Sequence, residues 1–151
     1  MNKFLRMAAN CAHNYTYDEG LDYYLCAVLT KSNKILSIGF NKMQTNRFVE
    51  YYADRAKGMY RDFHVTTHAE MDAVMQVRHK TDLNGARIYV ARSRRIGDTG
   101  LARPCLICQH MLHSHGIKRA YYTISDDEYG VMRIKDPKKI LSMAEEKTFK
   151  F

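Results

Sequence analysis

The succession of segments in this chain predicts an α/β fold: a three-layer α/β/α sandwich around a mixed central sheet of about five strands. Two observations carry that expectation. Short apolar, β-branched runs alternate with segments of helical period through the middle of the chain. No repeat, low-complexity tract or Pro/Gly/Ser-rich linker interrupts 151 residues that hold only two prolines. One domain, 1–151, is therefore expected.

Residues 3–14 set Phe4, Ala8, Cys11 and Ala12 on one stripe, which predicts a first helix. "YYLCAVLT" (23–30) reads as a buried strand, "KSN" as a turn and "KILSIGF" (34–40) as its hairpin partner. Residues 41–66 lack a clean period, with room for a helix near 47–57. "HAEMDAVMQVRHK" (68–80) spaces Ala69, Ala73 and Val77 as a helix does, and "NG" at 84–85 ends it. "ARIYVAR" (86–92) is a third strand, and the basic, glycine-containing loop "SRRIGDTGLAR" follows. Pro104 suits the first turn of a helix running to about His115 and closed by Gly116. "KRAYYTI" (118–124) is a fourth strand, "SDDEYG" a turn and "VMRI" (131–134) a fifth strand. "DPKKILSMAEE" predicts a last helix capped by Asp136 with Pro137 at its first position.

With 46% hydrophobic and 26% charged residues the chain can bury a sizeable core, which excludes a disordered or fibrous protein. It has no run of about 18 apolar residues, so no membrane span is expected. The N-terminus lacks a 7–15-residue apolar stretch before a small-residue cleavage site, so the expected location is the cytoplasm. In that setting four cysteines point to metal, catalysis or core packing ahead of disulfides. A net charge of +8 favours anionic partners such as phosphates, with nucleic acid among them.

"ARPCLICQHM" (102–111) holds Cys105 and Cys108 at i and i+3, one side of a helix start. Backbone N–H groups and the helix dipole favour thiolates there. A catalytic zinc commonly takes three protein ligands and keeps one position open. The best third ligand is His68 in "TTHAEMDAV", also at a helix start. Glu70, two residues on, can lean over the space in front of a metal and act as general acid/base.

"HAE", with "PCLIC" beginning 36 residues after His68, resembles the zinc-dependent cytidine and deoxycytidylate deaminase superfamily. The matching stretch runs from about Cys26 to Thr123. The resemblance implies the cytidine deaminase-like fold and a Zn2+ held by His68, Cys105 and Cys108. It also implies Glu70 as the catalytic proton carrier. By the same resemblance Asn41, at a strand end, hydrogen-bonds the sugar. Ala69 offers its N–H to the base carbonyl, and Tyr122 lines the pocket. A homo-oligomer is expected on the same ground.

The implied activity is hydrolytic deamination of a cytosine-type base, with free dCMP as the expected small-molecule substrate. The 27-residue step from Asn41 to His68 resembles deoxycytidylate deaminases. The six residues of "SDDEYG" are too few for a parallel crossover, so the fourth and fifth strands should form an antiparallel hairpin. Nucleoside deaminases and many nucleic-acid-acting relatives share that hairpin, which keeps single-stranded DNA or RNA open as an alternative substrate. A non-catalytic zinc-stabilised domain is the other alternative. The basic loop departs from the family's shorter link. Arg92, Arg94, Arg95 and Arg103 in and beside it can grip a phosphate or simply face solvent.

Taken singly, the motifs have plainer readings. "THAE" fits a capping box with Thr67 as cap and Glu70 reaching back. Cys105 and Cys108 alone fit a redox pair or buried thiols. Cys11, His13, Cys26 and the histidines at 64, 110, 113 and 115 lack ligand spacing, so core cysteines and surface histidines are expected rather than a second zinc site.

Overall fold

In the computed structural model, which describes residues 2–15, 20–55, 66–136 and 146–151, Asn2 opens the first helix. Its Oδ1 accepts from the Phe4 amide at 3.1 Å, a side-chain N-cap for α1 (Lys3–His13). Phe4, Leu5, Ala8 and Ala12 are buried along one stripe, while Cys11 is half-buried beside it. They meet Cys26, Val28, Tyr89 and Ala91 on one face of the sheet.

β1 (Tyr23–Lys31) and β2 (Lys34–Phe40) pair antiparallel through a two-residue turn. Ser32 and Asn33 both take positive φ, 51° and 62°, as a turn that follows the strand twist requires. β1 is covered on both sides. Cys26 and Val28 face α1, whereas Ala27 and Leu29 face the helices of the opposite layer.

That layer contains α2 (Arg47–Arg55), α3 (Ala69–Gln76) and α4 (Leu106–Ser114). Tyr52 of α2 is joined to Ser114 of α4, hydroxyl to hydroxyl, at 2.8 Å. α3 is shorter than the sequence predicts and stops at Gln76 rather than reaching position 80. Lys80 turns back and donates to the carbonyls of Met75 (3.2 Å) and Val77, satisfying the exposed helix end. α4 starts at Leu106, two residues after the expected Pro104. Cys105 is the N-cap and Pro104 stands outside the helix, with its carbonyl accepting from Gln109 Nε2 at 2.8 Å. The helix closes as expected on Gly116 at φ +74°. Gly116 and Ile117 donate to the carbonyls of His113 and Leu112.

The strand order is β2-β1-β3-β5-β6-β7, with β4 on the side of β3. β3 (Arg87–Arg94) and β5 (Arg119–Thr123) run parallel, and the other pairs are antiparallel, so the sheet is mixed. β6 (Glu128–Arg133) forms the expected antiparallel hairpin with β5 but begins inside the predicted turn. Among the described residues the sheet has seven strands where about five were expected. One addition, β4 (Thr99–Gly100), is two residues folded back within the basic loop. The other, β7 (Lys147–Lys150), is a polar strand that takes its order from the β6 backbone rather than from an apolar pattern. Of the predicted last helix, 136–146, residues 137–145 lie outside the described residues. Among the described residues no helix is long and apolar enough to cross a membrane.

α3 lies directly on β2. A Cβ at Gly39 would sit 2.3 Å from the Ala73 amide nitrogen and 2.4 Å from the Ala69 carbonyl oxygen, both backbone atoms that cannot swing away. Ser37 Oγ donates to the Ala73 carbonyl at 2.6 Å. Buried Asp72 accepts from the Phe40 amide and from Lys42 Nζ, each at 2.9 Å. Gly39→Ala should therefore destabilise the chain by about 1–3 kcal/mol through overpacking. Ser37→Ala, which deletes one hydrogen bond, should cost about 1 kcal/mol. Urea midpoints measured on the two variants check that order.

Candidate metal centre

Two helix starts face each other across the site. His68 is the N-cap of α3, Cys105 is the N-cap of α4, and Cys108 completes the first turn of α4. His68 Nδ1 lies 3.5 Å from Cys105 Sγ and 3.3 Å from Cys108 Sγ. All three donor atoms fall within 4.8 Å of one another, and among the described residues no other His/Cys/Asp/Glu trio does so. Zinc bonds of 2.0–2.3 Å at tetrahedral angles put donor atoms about 3.5 Å apart, so the set fits that ion. One imidazole and two sulfurs are also its preferred chemistry. The second zinc site that the sequence disfavoured does not assemble among the described residues, and His64 lies outside them.

The loop before α3 aims His68. Thr67 pairs with the segment after β2: its amide donates to the Gln44 carbonyl at 2.9 Å and its hydroxyl to the same carbonyl at 2.7 Å. Lys42 returns an amide hydrogen bond to the Thr67 carbonyl. The capping-box reading of "THAE" is thereby corrected. Thr67 spends its hydroxyl on a distant loop, and the N-cap residue, His68, makes no side-chain capping hydrogen bond. The N-terminal N–H groups of α3, Ala69's among them, have no helical carbonyl within reach.

The electrostatics follow from burial and close packing. Hydrogen bonding from Cys108 brings the Cys105 thiol down to about 4 against its burial, and His68 adds to the effect. The Cys108 thiol is held up by that same hydrogen bond and by complete burial. Burial works against charge on His68, but the Cys105 thiolate beside it raises the imidazole overall. Glu70 is 3% exposed. Burial pushes its carboxyl up to about 7, while His68 draws it down and Cys105 pushes it up; its own backbone N–H and Cys108 hydrogen-bond to it.

The family follows from sequence and site together. The chain matches the family model for the cytidine and deoxycytidylate deaminase zinc-binding region over residues 1–124. It belongs to that deaminase family. No curated protein matches it. Among solved structures, it is similar to the apo crystal structure of dCMP deaminase from the cyanophage S-TIM5. That match has 18% identity, covers 80% of this chain and 79% of the other, and has a TM-score of 0.48. The chain is thus of the zinc-dependent hydrolytic deaminase type, with His68, Cys105 and Cys108 positioned to hold the metal ion.

The structure places the deaminase's remaining sequence-nominated residues as follows. Asn41 is buried and fastens the end of β1: Oδ1 accepts from the Leu25 amide at 2.8 Å and Nδ2 donates to the Tyr23 carbonyl at 3.1 Å. As a primary amide it keeps one N–H and one lone pair beyond these. Tyr122 lies flat against Gly130, where a Cβ would come within 2.2 Å of its ring, and its hydroxyl donates to Glu146 at 2.5 Å. Arg103 forms a nearly buried ion pair with Glu146, Nε lying 2.9 Å from each carboxylate oxygen. Arg94 pairs with Asp98 inside the β3–β4 hairpin. Glu146 and Asp72 are structural partners that nothing in the local sequence marked. Each acts across 30 or more residues: Asp72 on Lys42, and Glu146 on Arg103.

The chain should bind one zinc per molecule, and Cys108→Ser should lose it during dialysis that the wild type survives; metal analysis by mass spectrometry measures both. Cys108 holds its proton before metal arrives, so uptake at pH 7 should release at least one proton. Titration calorimetry in two buffers of different ionisation enthalpy reads that number.

Proposed function

We propose that this deaminase acts on the cytosine of a free nucleotide, converting dCMP to dUMP and ammonia. One observation carries the chemistry: a buried carboxylate, Glu70, stands beside three converging metal-ligand atoms at paired helix starts. When bound, zinc supplies a Lewis acid that makes water nucleophilic at neutral pH. Glu70 takes a proton from the attacking water and delivers it to ring nitrogen N3 as oxygen bonds to C4. It then carries the remaining hydroxyl proton to the exocyclic amine. The C4–N bond breaks, ammonia leaves with the electron pair, and the C4 carbonyl of uracil remains. The Ala69 N–H, at the start of α3, is suited to the base carbonyl, and Asn41's residual donor to a sugar hydroxyl.

The long step from Asn41 to His68 supports the mononucleotide substrate by resemblance to deoxycytidylate deaminases. A second reading, single-stranded nucleic acid, draws on the antiparallel β5–β6 hairpin and the +8 charge.

Zinc-loaded protein should release ammonia from dCMP faster than from CMP, deoxycytidine or cytosine. No turnover of any of the four would sink the mononucleotide reading. Uracil appearing in a cytosine-containing oligonucleotide, with a rate that falls steeply as salt rises, would favour the second. Glu70→Gln should lower turnover by about a thousandfold or more while zinc content stays at one per chain, since general acid/base catalysis alone contributes about 10²–10⁴-fold. Unchanged activity in that variant would remove Glu70 from the chemistry.

A further inference from the structure

Four arginines lie in or beside the β3–β4 hairpin, and three have carboxylate partners. Arg94 pairs with Asp98, Arg103 with Glu146, and Arg95 with Asp22 at 3.7 Å. Arg92 differs. Its guanidinium carbon sits 4.2 Å from the centroid of the Tyr23 ring, and its Nε is buried with no hydrogen-bond partner among the described residues. A guanidinium resting on an aromatic face is held by its plane and keeps its N–H edge for an acceptor. A buried donor without a partner in the chain is open to an acceptor from outside it, such as water or a ligand anion.

The position of Arg92 says which ligand. In the sheet register it stands opposite Leu25 of β1 and Gly100 of β4. Leu25 is the residue whose amide Asn41 holds. Gly100 begins the short run that reaches Cys105 five residues later. Alternation along β3 puts Arg92 on the same face as Ile88 and Val90, which pack in the core with α3 and α4. The side chain therefore lies between the strand end fastened by Asn41 and the segment leading to the metal ligands. Gly100 leaves the space it uses: a Cβ there would approach Arg92 Cδ to 3.3 Å and Arg94 Cγ to 3.2 Å.

We propose that Arg92, seated on Tyr23, takes the phosphate of the substrate and so sets the preference for a phosphorylated cytosine over the bare nucleoside. This rests on the deaminase reading above and adds the group that recognises the anion. The planar fork of a guanidinium matches two phosphate oxygens at once, which lysine does not. A 5′-phosphomonoester and a backbone phosphodiester present the same oxygens.

The test uses the full zinc-loaded chain, with circular dichroism and zinc content as checks of integrity. The ratio of kcat/KM for dCMP to that for deoxycytidine should fall at least tenfold in Arg92→Gln. Arg92→Lys should recover only part of it, and Gly100→Val, which crowds the arginine stem, should lower it too. Arg87→Gln, at the far end of β3, is the control and should leave the ratio in place. Calorimetric binding of inorganic phosphate, of dCMP and of a single-stranded oligonucleotide with one cytosine supplies a readout that needs no turnover. Loss of dCMP and phosphate binding in Arg92→Gln identifies a monoester. Loss confined to the oligonucleotide identifies the diester. An Arg92→Gln protein with the wild-type ratio and wild-type affinity for all three probes overturns the inference. A wild type that turns over nothing defeats the deaminase reading instead, and the binding comparison still decides Arg92.

Discussion

Two helices begin at nearly the same point in space, and the organisation of the site hangs on that meeting. An N-cap residue has extended backbone while the residues after it are helical, so the path of the chain into the helix sets where its side chain points. His68 and Cys105 are both N-caps. Each approach is pinned by hydrogen bonds that have nothing to do with the metal: Thr67 on Gln44 before α3, and Gln109 on Pro104 at α4. The 3.3 and 3.5 Å separations from His68 Nδ1 to the two sulfurs are the product of those tethers. A donor set built this way is preorganised, so little chain ordering is left for metal uptake to perform.

The rigidity that supports the meeting lies in the sheet. α3 rests on β2 at a glycine with no room for a methyl group, and Asp72 ties the helix to the last amide of that strand. α4 ends in a left-handed glycine whose neighbouring amides return to the helix carbonyls. β2 and β3 each run antiparallel to β1, so α3, which follows β2, and α4, which follows β3, begin at the same edge of the sheet. Open sheets with parallel strands bind ligands at the carboxyl ends of those strands, which is the edge where the β3–β4 hairpin and Cys105 are found.

The charge of the molecule is less available near the site than +8 suggests. Arg94, Arg95 and Arg103 face carboxylates as near as four residues and as far as 73 residues along the chain. The Arg103–Glu146–Tyr122 cluster ties the residue before β7 to the approach of α4, so that ion pair serves the architecture. What is left facing an anion is decided by pairing rather than by composition.

Much of this was legible beforehand. Strands β1, β2, β3 and β5 and helices α1 and α4 lie where apolar period and glycine signals set them, and the β5–β6 hairpin followed from a link too short to cross the sheet. "HAE" and "PCLIC" taken together were enough to nominate His68, Glu70, Cys105 and Cys108, because each alone has a plainer reading but the two supply three zinc-type ligands and an acid/base. The hidden parts share one cause. β4, β7, Asp72 and Glu146 acquire their roles only from partners distant in the chain, and no local period or propensity encodes a partner. Sequence by itself determined the layer order and the kinds of donor atom, since both depend on residue type and short-range spacing. Tertiary structure alone decided that Thr67 holds a loop instead of capping a helix, and that Arg94 and Arg103 meet carboxylates while Arg92, among the described residues, meets the Tyr23 ring. Hydrogen bonds and ion pairs act over about 3 Å, and only the folded path of the backbone brings their two ends that close.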